Sequence, residues 1–141
     1  METTMGRLEN KNILITGGTR GIGLASAQEF EREGARVVIC GTDEKTLKEA
    51  RSTLGPKALA FRADVSKLSD LDSLYSKIKA EFGHLDVVFA NAGYSQFGPF
   101  EVVEEDTFDN LVAVNLKGVF FTIQKAVPLL RSGDYKFVRD S

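Results

Sequence analysis

Tryptophan is missing from these 141 residues, and cysteine and histidine occur once each. A lone Cys40 excludes an internal disulfide, and its place in the run Val37-Val38-Ile39-Cys40 suits a small buried hydrophobe in a reducing compartment. With one histidine, His84, beside that one cysteine, no metal site is expected. Charge of one sign is lacking too: 18 Lys and Arg stand against 20 Asp and Glu, a net of -2. That balance gives no electrostatic reason to expect nucleic acid or an anionic membrane as partner. No unbroken apolar run exceeds four residues, whereas a membrane-spanning helix needs about 20. The N-terminal METTMGRLENK holds no apolar signal core. Three prolines and no repeat or low-complexity linker leave the chain uninterrupted. The expectation is a single soluble domain over residues 1–141, cytoplasmic, whose binding is site-specific.

What is present alternates. Short β-branched runs are followed by longer segments of helical period, the pattern of βαβ units feeding a parallel sheet covered on both faces. Strands are predicted at 12–16, 36–40, 58–63 and 86–90. Helices are predicted from Gly21 to Glu33, from a Thr42 or Asp43 cap to Leu54, and from a Ser69 cap to a stop at Gly83. In the third helix Leu71, Leu74, Tyr75, Ile78 and Phe82 form one apolar stripe. A loop through Pro99 leads to a long helix from about Asp106 to Leu130. The order reads as an open, doubly wound, Rossmann-like α/β sheet. Residues 134–141 suggest the start of a fifth strand, so the sheet is expected to be C-terminally incomplete.

Thr16-Gly17-Gly18-Thr19-Arg20-Gly21-Ile22-Gly23 lies between the first strand and the first helix, where a dinucleotide-binding fold places its phosphate turn. Gly17 permits the sharp turn off the strand. Gly21 omits a side chain where backbone meets pyrophosphate, and Gly23 lets the helix approach the sheet. Free N–H groups and the positive end of the helix then face the phosphates. The spacing is G-x3-G-x-G, not the commoner G-x-G-x-x-G, and no Gly-Lys-Ser/Thr of a P-loop follows.

With Asp64-Val65 after the third strand, Asn91-Ala92-Gly93 ending the fourth, and Asn115 in the long helix, the sequence resembles the short-chain dehydrogenase/reductase family. The resemblance covers about residues 8 to 131. It implies that Thr16 to Gly23 forms the cofactor turn, that Asp64 and Val65 meet the adenine ring, and that Asn91-Ala92-Gly93 borders the cofactor. Asn115 would be a catalytic helix asparagine that bends its helix and holds a water in a proton relay. Each has a plainer role beside it. Asp64 also suits a turn cap, Asn91 to Gly93 an ordinary turn, and Asn115 a hydrogen-bonded core amide on a face shared with Phe108, Leu111, Val112, Val119, Thr122 and Ala126.

Cofactor choice follows charge. NAD-preferring members place an acidic residue directly after strand two to hold the ribose 2′-hydroxyl, which would repel a 2′-phosphate. This sequence has Gly41 there, then Thr42, and Arg20 inside the turn offers a guanidinium to a phosphate. NADP(H) is favoured over NAD(H), with Asp43 as the competing carboxylate if strand two ends in another register.

The resemblance also implies a tyrosine acid with a lysine four residues on, beyond the fifth strand. That pair is expected to be absent from these 141 residues, and the chain alone inactive. Tyr75 to Lys79 has the spacing, yet Tyr75 belongs to the apolar stripe of the third helix and precedes strand four. The expected function is hydride transfer between nicotinamide and a small carbonyl or alcohol, in a homo-oligomer when complete. The alternative is a non-catalytic nucleotide-binding or regulatory module; a methyltransferase is disfavoured by Asn91-Ala92-Gly93.

Overall fold

The computed structural model describes residues 5–130. Strands β1 (Asn12–Thr16), β2 (Arg36–Gly41), β3 (Leu59–Arg62) and β4 (Val87–Phe89) form one parallel sheet in the order β3-β2-β1-β4. The chain walks outward from β1 to β3 and then returns to the far side of β1. This reversal opens a crevice at the carboxyl ends of β1 and β4, the place where open α/β sheets bind ligands.

Two apolar clusters sandwich the sheet because alternate strand residues point to opposite faces. Leu14, Val38 and Cys40 pack against Leu71, Leu74, Tyr75, Ile78 and Phe82 of helix α3 (Leu68–Phe82). Ile13, Ile15, Val37 and Ile39 pack against Ala27 of α1 (Gly21–Arg32) and against Leu47 and Ala50 of α2 (Glu44–Ser52). Each aliphatic side chain so buried contributes about 1.5–3 kcal/mol relative to exposure. Tyr75 is buried and its hydroxyl donates to the Thr122 carbonyl. It is therefore a core aromatic, as its stripe predicts, and burial pushes its phenol above the ordinary value.

Expectations for α3 and for the long helix need correction, and of the two caps offered for α2 one is taken. Helix α3 begins at Leu68 on a Lys67 N-cap without a side-chain bond, so Ser69 lies inside its first turn. Asp43, not Thr42, caps α2: its carboxylate accepts the Thr46 N–H at 2.8 Å. The long helix is not uniform. It runs as α4 (Glu105–Val112), a π-helical turn over Ala113–Gly118, and α5 (Val119–Ala126). Its face is also less apolar in environment than the period suggests: Phe108 is 61% exposed, whereas Thr122 and Ala126 are buried. The suggested fifth strand lies outside the described residues.

Candidate functional site

Main-chain contacts build one wall of the crevice. Gly17 and Gly21 adopt φ of 63° and 57°, a left-handed conformation that glycine enters without strain. A Cβ on Gly23 would stand 2.2 Å from the Gly17 carbonyl oxygen, so α1 reaches the turn only because that atom is missing. A Cβ on Gly17 would meet Ala92 Cα at 2.9 Å, which seats the turn directly on the loop after β4. At Gly21 the same position is open space with nothing within 4 Å. Beside it the N-terminus of α1 has no side-chain cap, since its N-cap is the extended Arg20. The first N–H groups of this helix and its positive dipole end are thus available to an anion.

Side chains then lock β4 to β1. The Asn91 amide donates to the carbonyls of Thr16 and Gly17, both at 3.2 Å, and the Ala92 N–H donates to Thr16 Oγ1 at 3.0 Å. Thr16 is itself buried, so it acts beneath the surface of the crevice. Buried Cys40 lies under the same turn; burial pushes its thiol up to about 12, against a smaller lowering from the Gly17 backbone.

The opposite wall comes from the β3 loop and the long helix. Asp64 Oδ1 accepts from the Ser66 N–H at 3.0 Å and the Ser66 hydroxyl at 2.6 Å, so the turn-capping role foreseen for it is real. Gly118 permits the π turn to approach: a Cβ there would stand 2.8 Å from Val65 Cγ2. Asn115 is exposed and lies in that π turn, which corrects the expectation of a buried core amide. Its partners belong to another segment. Oδ1 accepts the Tyr94 N–H at 3.0 Å, and Nδ2 donates to the Tyr94 carbonyl at 2.7 Å.

Between these walls is a cleft of about 550 Å³. Gly17, Thr19, Arg20, Ile22, Thr42, Asp64, Val65, Asn91, Ala92 and Gly93 line it; Thr16, Gly21, Gly23 and Asn115 support it from behind or beside. Reading by motif missed Ala63 and Val114, which also line it. Neither residue type signals chemistry, and only the fold brings them to the cleft. A larger groove of about 800 Å³ lies at the other end of the sheet, around Glu9, Ala35 and Arg36. It has neither strand carboxyl ends nor an uncapped helix N-terminus, so the smaller cleft is the functional candidate. Among the described residues, no cluster of His, Cys, Asp or Glu could hold a metal, and no helix is long and apolar enough to cross a membrane.

Parallel strands, a glycine turn at a helix N-terminus and a cleft at the switch point define a Rossmann-like nucleotide-binding fold. The family model for short chain dehydrogenase matches residues 11–135, and the chain belongs to that oxidoreductase family. An oxidoreductase named asL5 from Sarocladium schorii is 45% identical over 124 residues, covering 88% of this chain and 50% of the relative. The galactitol 2-dehydrogenase of Agrobacterium fabrum is 38% identical over 121 residues, covering 86% and 47%. The crystal structure of a 3-ketoacyl-(acyl-carrier-protein) reductase from Brucella melitensis, complexed with NADH, superposes with a TM-score of 0.83. It is 36% identical and the match covers 86% of this chain and 51% of that one. The chain thus spans about half the length of the relatives it matches.

Proposed function

We propose that this chain is the NADP(H)-binding portion of a short-chain dehydrogenase/reductase acting on a small carbonyl or alcohol. The observation that carries the reading is the uncapped N-terminus of α1 beside the open space at Gly21, a cradle suited to pyrophosphate. When bound, the nicotinamide supplies the hydride chemistry. The chain's own residues bind and orient. Thr19, Gly21 and Ile22 hold the phosphates from the turn, with Gly17 and Gly23 giving the turn its shape and Thr16 fixing Ala92 behind it. Asp64 and Val65 border the adenine, and Asn91, Ala92 and Gly93 the nicotinamide side. Asn115, the catalytic asparagine that the resemblance implies, here positions the Tyr94 main chain.

Charge favours NADP(H) over NAD(H). Arg20 and Thr42 line the cleft and Gly41 leaves no carboxylate at the end of β2. Asp43, the competing carboxylate, is engaged in capping α2, and the Thr46 N–H holds it below its ordinary pKa. Titration of NADPH and NADH against the chain by fluorescence tests the reading; equal affinities would remove the preference, and no binding of either would remove the site. The reading treats residues 1–141 as one cofactor-binding domain, cytoplasmic and part of a homo-oligomer.

The second reading is a nucleotide-binding module without chemistry of its own. The single Tyr-x-x-x-Lys in the sequence is Tyr75 to Lys79, and Tyr75 is in the core. The 141-residue chain is therefore expected to bind NADPH yet show no oxidation of it with simple ketones or aldehydes. Turnover would exclude the second reading.

A further inference from the structure

Two residues outside the cleft join its walls where β2 and β3 end. Arg62 is the last residue of β3 and pairs across the sheet with Gly41. Its Nε donates to the Thr42 carbonyl at 3.1 Å, and Nη1 lies 3.4 Å from Asp70 Oδ2. The same Asp70 oxygen accepts the Asp64 N–H at 2.9 Å. Asp70 belongs to the first turn of α3, and its side chain is 24% exposed against 43% for Arg62. Neither residue lines the cleft, whereas Thr42, Asp64 and Val65 do. The chain of contacts therefore runs from the loop after β2, through a guanidinium and a carboxylate, to the main chain of the loop after β3.

We infer that Arg62 and Asp70 form a brace that sets the spacing of the adenosine half of the site, as positioning residues for the nucleotide. An exposed ion pair alone is worth little. This one is tied to main chain at both ends, and a fixed planar fork spends less side-chain freedom on each bond it makes. Loss of the guanidinium removes the side-chain tie between Thr42 and the Asp64 loop and leaves only the main-chain bond from the Ala63 N–H to the Gly41 carbonyl, at 3.0 Å, beside it. It also takes the cation away from the Asp70 carboxylate, which keeps the Asp64 N–H as a donor.

The inference rests on the adenosine reading of the cleft, and the experiment separates the two. Calorimetric titrations with adenosine 2′,5′-bisphosphate and with nicotinamide mononucleotide are made on the unaltered chain, Arg62→Ala, Asp70→Asn and the double variant. The brace predicts that each single variant weakens the bisphosphate on the order of tenfold, and that the double variant is no weaker than either single one. Nicotinamide mononucleotide should be unaffected. Unchanged bisphosphate affinity, additive losses, or an equal loss for both ligands would overturn the brace. Should Arg62→Ala fail to fold, Arg62→Lys decides: the lysine lacks the fork, so full affinity overturns the brace and a comparable loss supports it. Failure of the unaltered chain to bind the bisphosphate would instead overturn the nucleotide reading itself.

Discussion

The two walls of the cleft are built on different principles. On the turn side, backbone packs on backbone: Gly17 sits on Ala92, Gly23 sits against the Gly17 carbonyl, and every residue of β1 beneath them is buried. On the helix side, close approach is limited to buried Gly118 against Val65; no residue of α4 is buried, and the two bonds from the single Asn115 amide tie the π turn to the Tyr94 segment. A wall made by close approach has no slack, because a protein interior is packed as densely as an organic crystal. Hydrogen bonds on an exposed surface are exchangeable with water and individually modest. Damage to the first wall should therefore be severe and damage to the second small.

The largest effect is expected from Gly23→Val. Its Cβ would overlap the Gly17 carbonyl at 2.2 Å, and backbone cannot step aside as a flexible side chain can. All nucleotide binding should be lost, with destabilisation of about 3 kcal/mol or more. Gly98→Ala, on the loop before α4, has open space around it and should melt and bind as the parent does. A calorimetric titration and a thermal melt of both variants check the contrast; a Gly23→Val chain that binds would break it.

Next is a pH effect that begins with the thiol beneath the turn. Cys40 is raised from 9.0 to about 12 by burial, so the folded state retains a proton that the unfolded state gives up. Stability from this group is complete below about pH 9 and declines as pH rises through that interval to about 12. By pH 11, about two units above the ordinary thiol value, the loss reaches roughly 2–3 kcal/mol. Tyr75 is raised too, by burial first and by Cys40 second, and adds a loss of the same sign at higher pH. Denaturant melts between pH 8 and 11, a range of roughly three units around the ordinary thiol value, should show a steep fall that Cys40→Ala flattens. Parallel curves would show that the thiol beneath the turn carries no such linkage.

Arg20→Ala removes charge from the turn wall without touching its packing. NADPH affinity should fall on the order of tenfold with NADH nearly unchanged, the size of one charge-assisted hydrogen bond. A proportional loss for both cofactors would mean that the arginine shapes the turn and does not read the 2′-phosphate.

Most of the turn wall was legible in the sequence, because its requirements fall on glycine. Positive φ and close backbone approach leave few residue types able to serve, so Gly17, Gly21 and Gly23 announce the geometry. The doubly wound sheet followed from strand and helix alternation, and Tyr75 from its period in α3. The helix wall was harder to read. An apolar period says that a face exists and not what lies against it, so Phe108 and Asn115 were assigned surroundings that the structure does not give them. The π turn has no composition of its own. Likewise Ala63 and Val114 line the cleft with side chains that no motif marks, and the bond from Asn115 to Tyr94 spans 21 positions of sequence.

The smallest effect is expected at that bond. Asn115→Leu keeps the side chain's approximate volume in the π turn and removes both contacts to the Tyr94 main chain. Asn115 and Tyr94 are both exposed, so the Tyr94 N–H and carbonyl can turn to water and the loss should be about 1 kcal/mol. A thermal melt should move down by a few degrees, about 4–8 °C for each kcal/mol in a domain near 100 residues. Cofactor affinity should hold, since the glycine turn is untouched. A loss of several kcal/mol would mean that the π turn needs this amide to form, and that the helix wall is as dependent on one residue as the turn wall is on Gly23. No change at all would leave Asn115 with no structural task, and would point its amide toward the proton relay that the family resemblance implies.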